Sequence, residues 1–272
     1  MPGPTPPVAY LLDLDGTLYA GGAAVPGAPQ TLERLRRAGV PFRLVTNTTS
    51  RSRGMLVERM RSYDFAVEPE EVFTATLAGA AVARNAGIRI AAPFLPAPAL
   101  EDLSGLELVG GSSGRRRPAR AATGGGAPEA VILGDLGEGW TYEVLQEAFE
   151  YVMDGALIIA LSRDRYWQRG DRLALDAGPF VAALEYATGA NAVVAGKPSP
   201  AFYAAALASL GLDRPAGTAM VGDDLWSDVQ GAQRAGLEGW LVRTGKFREE
   251  TLRDSGITPD RVLSSVAALA PT

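Results

Sequence analysis

Short apolar runs that end in acids, hydroxyls or glycine recur along this chain. Residues 8–12 form the first run, and their unbroken apolar character predicts a buried strand. Phe42–Thr46 predicts a second strand, and the leucines of residues 31–38 recur at helical spacing between the two. A helix is also predicted over residues 52–63. The order strand, helix, strand, helix therefore indicates a doubly wound parallel α/β sheet.

The same alternation returns after a long interruption. The later part predicts helices over residues 178–188, 200–210 and 226–235, and strands over residues 192–195, 219–222 and 239–242. The interruption has strands of its own, predicted over residues 88–92, 130–133 and 157–161, and a helix over residues 142–153. We therefore predict a first domain made of residues 1–76 and 177–272, into which a second α/β domain, residues 77–176, is inserted.

One segment of the insert differs in composition from the rest. Residues 110–126 are rich in glycine, serine and arginine and nearly free of bulky apolar side chains. Such a segment cannot bury enough apolar surface to order itself, which favours a solvated insertion. A loop in which Arg115, Arg116 and Arg117 grip a phosphate group is the less favoured interpretation.

Composition narrows the class of protein. Hydrophobic residues make up 47% of the 272 residues and charged residues 21%, as in ordinary globular proteins. The net charge of -5 argues against a nucleic-acid partner. No apolar run is long enough to predict a membrane span, and the first seven residues do not resemble a signal peptide. A cytoplasmic location is the expectation that follows.

The chain has no cysteine and no histidine. Their absence excludes disulfides, thiolate nucleophiles, Ser-His-Asp triads, histidine bases and ordinary zinc sites. Any chemistry must therefore use carboxylates, hydroxyls, amines, backbone groups and a hard metal ion.

Four clusters of polar residues follow predicted strands, and two of these clusters contain acids. Asp13 and Asp15 follow the first predicted strand and precede Gly16, at the sheet edge where open α/β proteins bind ligands. With no histidine available, a carboxylate nucleophile that forms an aspartyl-phosphate is the accessible route, against the alternative of a simple Asp-Gly turn. Asp223, Asp224 and Asp228 follow a later strand and form an oxygen-rich group suited to Mg²⁺, or else a helix cap at Asp224.

The other two clusters suit a phosphate group. Thr46 and Asn47 begin a run of hydroxyl and amide side chains after the second strand, where phosphate binding and helix capping by Ser50 or Ser52 both remain open. Lys197 is one of only two lysines among 26 basic residues, which suggests that a compact point charge is needed there. Lys246, the other lysine, has no acids beside it in the chain and is interpreted as an ordinary surface lysine.

In this order, the four clusters resemble the four motifs of the haloacid dehalogenase superfamily of aspartate-dependent phosphatases. The resemblance covers nearly the whole chain. It implies a Rossmann-like core in which the insert is an α/β cap of class IIA. Residues 173–181, 183–187, 196–200 and 242–248 are similar to a narrower branch, which contains phospholysine phosphohistidine inorganic pyrophosphate phosphatase. Residues 110–126 depart from the family as a longer insertion, which weakens any inference from the cap.

The resemblance also implies a role for each site residue. Asp13 is the nucleophile, and Asp15 protonates the leaving oxygen and then deprotonates the attacking water. Mg²⁺ is held by Asp13, Asp223 and the backbone carbonyl of Asp15. The remaining residues bind the phosphoryl group (Thr46, Asn47 and Lys197) or support the lysine and the metal's waters from behind (Asp224 and Asp228).

The function expected from these features is Mg²⁺-dependent hydrolysis of a small phosphorylated metabolite. Phosphomonoesters, pyrophosphate and phosphoramidates are all candidate substrates, and the sequence does not choose between them. The alternatives are a catalytically silent phosphate-binding scaffold and a phosphotransferase that excludes water. Family analogy also suggests a homodimer formed through the cap.

Overall fold

A computed structural model describes residues 7–114 and 126–269. Arg115, Arg116 and Arg117 lie outside the described residues. The strands of the described part are β1 (Ala9–Asp13), β2 (Tyr19–Ala20), β3 (Ala23–Ala24), β4 (Phe42–Thr46), β5 (Val72–Thr74), β6 (Ile90–Phe94), β7 (Glu107–Leu108), β8 (Ala130–Leu133), β9 (Leu157–Ala160), β10 (Tyr166–Arg169), β11 (Arg172–Leu175), β12 (Val193–Val194), β13 (Thr218–Gly222), β14 (Glu238–Val242) and β15 (Arg261–Leu263). The α-helices are α1 (Ala28–Arg37), α2 (Arg53–Arg61), α3 (Ala75–Asn85), α4 (Tyr142–Met153), α5 (Gly178–Thr188), α6 (Pro200–Ser209), α7 (Gly231–Arg234) and α8 (Glu249–Asp254).

The chain folds into two compact units. The core unit comprises Met1–Thr46, Gly54–Phe73 and Lys197–Thr272, and the insert unit comprises Asn47–Arg53 and Thr74–Gly196. The second boundary therefore follows Gly196, whereas the sequence analysis placed it after residue 176. The difference arises because β12 pairs with β9, and because Leu184 of α5 packs in the same apolar cluster as Ala148 of α4.

A six-stranded sheet in the order β15-β14-β13-β1-β4-β5 forms the centre of the core unit. β1 pairs in parallel with β4 on one side and with β13 on the other. The chain therefore builds the sheet outward in both directions from β1, as the doubly wound prediction requires.

Apolar residues at helical spacing fix α1 against this sheet. Ala28, Leu32 and Leu35 are buried in one cluster with Leu12 of β1 and Leu44 of β4. Full burial of a leucine side chain contributes about 2 kcal/mol, so these few contacts outweigh the weak intrinsic stability of a helix this short.

The segment predicted as one helix over residues 226–235 is divided in the structure. Leu225–Gln230 forms a π-helical turn, and only Gly231–Arg234 is α-helical. A π-helical turn places one more residue in each hydrogen-bonded ring than an α-helix does, and no hydrophobic period reveals it in advance.

The insert unit has its own five-stranded parallel sheet, in the order β12-β9-β8-β6-β7. Trp140 stacks between Phe94 and Phe180, with ring centroids 5.8 and 4.6 Å away, so it belongs to the packing of this unit. β10 and β11 form a separate antiparallel ribbon. Among the described residues, no helix has the length and apolar character needed to cross a membrane.

Candidate active site

The carboxyl ends of three neighbouring strands bring the predicted residues of the core unit together. β1 ends at Asp13, β4 ends at Thr46 on one side of it, and β13 ends at Gly222 on the other side. This is the point where the direction of sheet building reverses, which is the usual ligand position in open α/β proteins. Asp223 follows β13 directly and therefore reaches the same edge.

Lys197 lies buried between two carboxylates. Its Nζ atom donates to Oδ1 of Asp13 at 2.6 Å and to Oδ1 of Asp228 at 2.7 Å. Burial acts to lower the pKa of this lysine, but the two carboxylates outweigh it and hold the pKa well above its usual value. Lys197 is therefore a fixed positive charge beside Asp13.

Three buried carboxylates are close enough to share a metal ion. Asp13, Asp223 and Asp228 each offer an oxygen, and these oxygens lie within 4.8 Å of one another. Burial raises the pKa of Asp13 well above its usual value despite Lys197, and the neighbouring acids Asp228 and Asp223 add to the effect. Burial likewise raises the pKa of Asp223 to about 6, although the backbone N–H of Lys246 opposes it. The cluster therefore has more negative charge than Lys197 compensates.

A hard divalent cation fits this donor set, because its ligands are oxygens and its charge supplies what the cluster lacks. Lys197 engages only Oδ1 of Asp13, and Oδ2 of Asp13 accepts no hydrogen bond from the described residues. The two oxygens of Asp228 are both engaged, by Lys197 and by the backbone N–H of Asp224 at 3.1 Å. This difference favours Asp13 and Asp223 as ligands and favours the supporting role predicted for Asp228.

Asp224 caps the π-helical turn that carries Asp228. Its Oδ1 atom accepts from the backbone N–H groups of Trp226 and Ser227, both at 3.0 Å, and its Oδ2 atom pairs with Lys246 Nζ at 3.0 Å. Burial acts to raise its pKa, but Lys246 and these N–H groups outweigh burial and lower the pKa. The helix-cap interpretation and the supporting role predicted for Asp224 are therefore compatible.

Asp15 is placed differently from the buried acids. Its side chain is more than half exposed and lies 4.0 Å from Nη1 of Arg59. The hydroxyl of Tyr19 donates to its Oδ2 atom at 3.3 Å. Asp15 is therefore open to solvent two residues after Asp13, a position compatible with the acid–base role predicted for it.

The two predicted phosphate-binding residues at the end of β4, Thr46 and Asn47, fall in different units. Thr46 is buried at the end of β4, whereas Asn47 begins the short segment assigned to the insert unit. Ser52 is also buried there.

The structure adds to the site a loop for which no site role was predicted. Thr244, Gly245 and Lys246 follow β14, and the backbone N–H of Lys246 donates to Oδ2 of Asp223 at 2.6 Å. Lys246 is a surface lysine, as predicted, with its side chain 70% exposed. The prediction did not foresee that its main chain and its side chain both contact acids of the site. Its acids come from the neighbouring strand rather than from its own neighbours in the chain. The available signal was that the second of two lysines also follows a buried strand.

Two family models match separate parts of the chain. Residues 10–94 match a family model described as haloacid dehalogenase-like hydrolase, and residues 194–269 match one described as HAD-hydrolase-like. Haloacid dehalogenase-like hydrolase domain-containing protein 2 of Homo sapiens is 41% identical over 242 residues, which cover 88% of this chain and 85% of that protein. The chain belongs to the haloacid dehalogenase-like hydrolase family. The resemblance expected from the four clusters is thereby confirmed.

Relatives of this hydrolase with named activities are phosphatases. Phospholysine phosphohistidine inorganic pyrophosphate phosphatase of Homo sapiens is 32% identical over 265 residues, which cover 94% of this chain and 90% of that protein. A p-nitrophenyl phosphatase from Archaeoglobus fulgidus has the same fold, with a TM-score of 0.83 and 27% identity, over 97% of this chain and 98% of the other. NagD from E. coli K-12 also superposes with a TM-score of 0.83, at 25% identity, over 98% of this chain and 100% of the other. The hydrolase is a phosphatase, and the predicted α/β fold with an inserted α/β domain is confirmed.

Proposed function

We propose that this phosphatase is Mg²⁺-dependent and hydrolyses small phosphorylated metabolites through an aspartyl-phosphate on Asp13. The observation that carries the proposal is the buried trio of Asp13, Lys197 and Asp223 at the reversal point of the sheet. Asp13, Asp223 and the backbone carbonyl of Asp15 are the proposed metal ligands. When bound, Mg²⁺ would neutralise charge on the phosphoryl oxygens and on the acids.

In the proposed first step, a carboxylate oxygen of Asp13 attacks phosphorus in line with the bond to the leaving oxygen. The new O–P bond forms as the bond to the leaving group breaks, and Asp15 gives its proton to the departing oxygen. In the second step, Asp15 takes a proton from water, whose oxygen attacks the phosphorus. The Asp13–phosphorus bond then breaks, which releases inorganic phosphate and regenerates both carboxyl groups.

Three further residues are proposed to hold the phosphoryl oxygens. Lys197 supplies a positive charge at Asp13 that persists at any pH the enzyme meets, because its pKa is well above the usual lysine value. The hydroxyl of Thr46 and the backbone of Asn47 are the proposed hydrogen-bond donors. Fixed donors of this kind stabilise charge that develops in the transition state without having to reorganise.

The simplest test of this proposal uses para-nitrophenyl phosphate. The purified protein is expected to release phosphate from it in the presence of Mg²⁺, and EDTA is expected to abolish the release until Mg²⁺ is restored in excess. The assay is run with no added acceptor, so a phosphotransferase would release little phosphate, and a silent scaffold would release none at any Mg²⁺ concentration. Activity that is unchanged in EDTA would contradict the metal requirement.

The substrate class needs a wider screen. The named relative suggests that phosphoramidates and pyrophosphate be compared with phosphomonoesters. Measuring kcat/KM for one substrate of each class under the same conditions ranks the three classes directly. Cytoplasmic location and homodimer formation through the insert unit stay predictions.

The raised pKa of Asp223 is expected to make the stability of the metal-free protein depend on pH. Its pKa of about 6 in the folded state exceeds the usual aspartate pKa of 3.8, so the folded state binds the proton more tightly than the unfolded state does. The free energy of unfolding of metal-free protein is therefore expected to fall as pH rises from about 4 to about 6, by up to about 3 kcal/mol. Mg²⁺ competes with that proton, so the rise in Tm caused by Mg²⁺ is expected to be larger at about pH 8 than at about pH 5.

Thermal unfolding with EDTA or with Mg²⁺ across this pH range measures both effects. Asp223→Asn is the control. Its amide does not titrate in this range, so the variant's free energy of unfolding should depend less on pH than that of the wild type. An equal rise in Tm at both ends of the range would contradict the prediction.

A further inference from the structure

The loop Thr244–Gly245–Lys246 contacts the site at two points, Gly16 and Asp223. None of the four motifs includes this loop. The hydroxyl of Thr244 donates to the backbone carbonyl of Gly16 at 2.5 Å. The backbone N–H of Lys246 donates to Oδ2 of Asp223 at 2.6 Å. The loop therefore connects the turn after Asp15 to the carboxylate of Asp223.

Two glycines, one from each segment, pack closely against that carboxylate. A Cβ atom on Gly245 would overlap Oδ2 of Asp223 and crowd the Cα atom of Gly16, and a Cβ atom on Gly16 would overlap the same oxygen. Gly16 and Gly245 also have positive φ angles, +88° and +58°. Two main-chain segments that contact each other thus both pack closely against one oxygen of Asp223.

We propose that Thr244–Gly245–Lys246 is a positioning element that holds Oδ2 of Asp223, so that only Oδ1 is presented to the divalent cation. The inference rests on the proposed Mg²⁺ dependence and goes beyond it by assigning the geometry of one ligand to this loop. Oδ2 is fixed by an N–H donor and by two glycine backbones, so the carboxylate cannot rotate to offer both oxygens. Groups that orient a metal ligand in this way typically change metal affinity by about 10- to 100-fold when they are removed.

The side chain of Lys246 anchors the loop from the outside. Its Nζ atom pairs with Oδ2 of Asp224, the residue next to Asp223. The ion pair is exposed at the lysine, so its own contribution to stability is small. The larger contribution to positioning comes from the main chain, through the N–H group and the absence of a side chain at Gly245.

The test measures Mg²⁺ binding itself, with Mg²⁺ as the only ligand. Gly245→Ala is expected to weaken Mg²⁺ binding by at least about 10-fold in titration calorimetry and to reduce the Mg²⁺-induced rise in Tm to match. Gly256→Ala is the matched control. Gly256 lies in the same unit with a φ of +70°, and a Cβ atom there meets no atom of the described residues within 4 Å. It imposes similar backbone strain without touching a ligand.

Thr244→Val provides a second variant that keeps the shape of the side chain. It removes the bond to Gly16 and is expected to weaken Mg²⁺ binding by several-fold even if Gly245→Ala does not fold. Binding of Mg²⁺ at wild-type affinity by either folded variant would overturn the assignment. Equal weakening in Gly256→Ala would also overturn it, because strain alone would then explain the loss. Wild-type protein that binds no Mg²⁺ would instead refute the proposed metal dependence, and this inference with it.

Discussion

Asp13→Asn is expected to lose phosphatase activity by at least about 10⁴-fold while the protein keeps its fold. The amide has the size of the carboxylate but is a far weaker nucleophile, so the covalent step of the proposed mechanism cannot start. The fold should persist because the change removes a charge whose burial already raises its pKa. Lys197 also keeps its second partner, Asp228, at 2.7 Å.

Initial rates with para-nitrophenyl phosphate at saturating Mg²⁺ measure the loss, and circular dichroism with thermal unfolding verifies the fold. Asp213→Asn is the matched control, because Asp213 is an exposed acid of the core unit outside the site. Wild-type enzyme quenched during turnover should carry one labile phosphoryl group, detectable by mass spectrometry, that Asp13→Asn lacks. A folded Asp13→Asn variant that keeps appreciable activity would overturn the assignment of the nucleophile.

Much of the site in the core unit could be predicted from the residues at the ends of the predicted strands. Asp13, Thr46 and Asp223 follow apolar runs that become adjacent parallel strands, so their convergence follows from the fold class alone. Lys197 could be singled out because an arginine-rich chain has almost no other lysine. In each case a local pattern in the sequence contained the relevant information.

The features that were missed depend on contacts that a linear pattern does not contain. Lys246 meets Asp223 and Asp224 across neighbouring strands, more than twenty positions away along the chain. Val193 and Val194 form an ordinary apolar run, and only their pairing with β9 assigns them to the insert unit. A short strand carries no mark of the sheet that it joins, so the domain boundary could not be located from composition.

Asp13, the last residue of β1, and Asp15 differ in environment, as do the roles proposed for them. Asp13 is buried against Lys197, whereas Asp15 is exposed beside Arg59 and Tyr19. A nucleophile benefits from a fixed position and a low-dielectric setting, and a proton carrier benefits from access to water. Within a strand, residues i and i+2 share one face, so alternation alone would not separate Asp13 from Asp15. The separation arises because β1 ends at Asp13 and the chain turns before Asp15.

Lys197→Met is expected to lower the free energy of unfolding by about 3–5 kcal/mol near neutral pH, because it leaves Asp13 and Asp228 buried without their shared cation. The two carboxyl groups can escape this penalty by taking up protons. The loss of stability should therefore be smaller at about pH 5 than at about pH 8. Phosphatase activity should fall by about 10²-fold or more at every pH, since the fixed charge beside the phosphoryl group is gone.

Lys246→Met is the natural comparison, because the chain's other lysine pairs with Asp224 while its own side chain is largely exposed. Its effect on the free energy of unfolding should stay below about 1 kcal/mol. Urea denaturation of both variants at about pH 5 and about pH 8, in EDTA, separates the two cases. If Lys197→Met lost no more stability than Lys246→Met, or lost the same amount at both pH values, Lys197 would not be the buried counter-ion of Asp13 and Asp228. Removing one member of a buried ion cluster is costly whatever the cluster does, so the loss of stability alone would not link Lys197 to catalysis. The accompanying loss of activity at every pH is the result that would link Lys197 to the phosphoryl group proposed to bind beside Asp13.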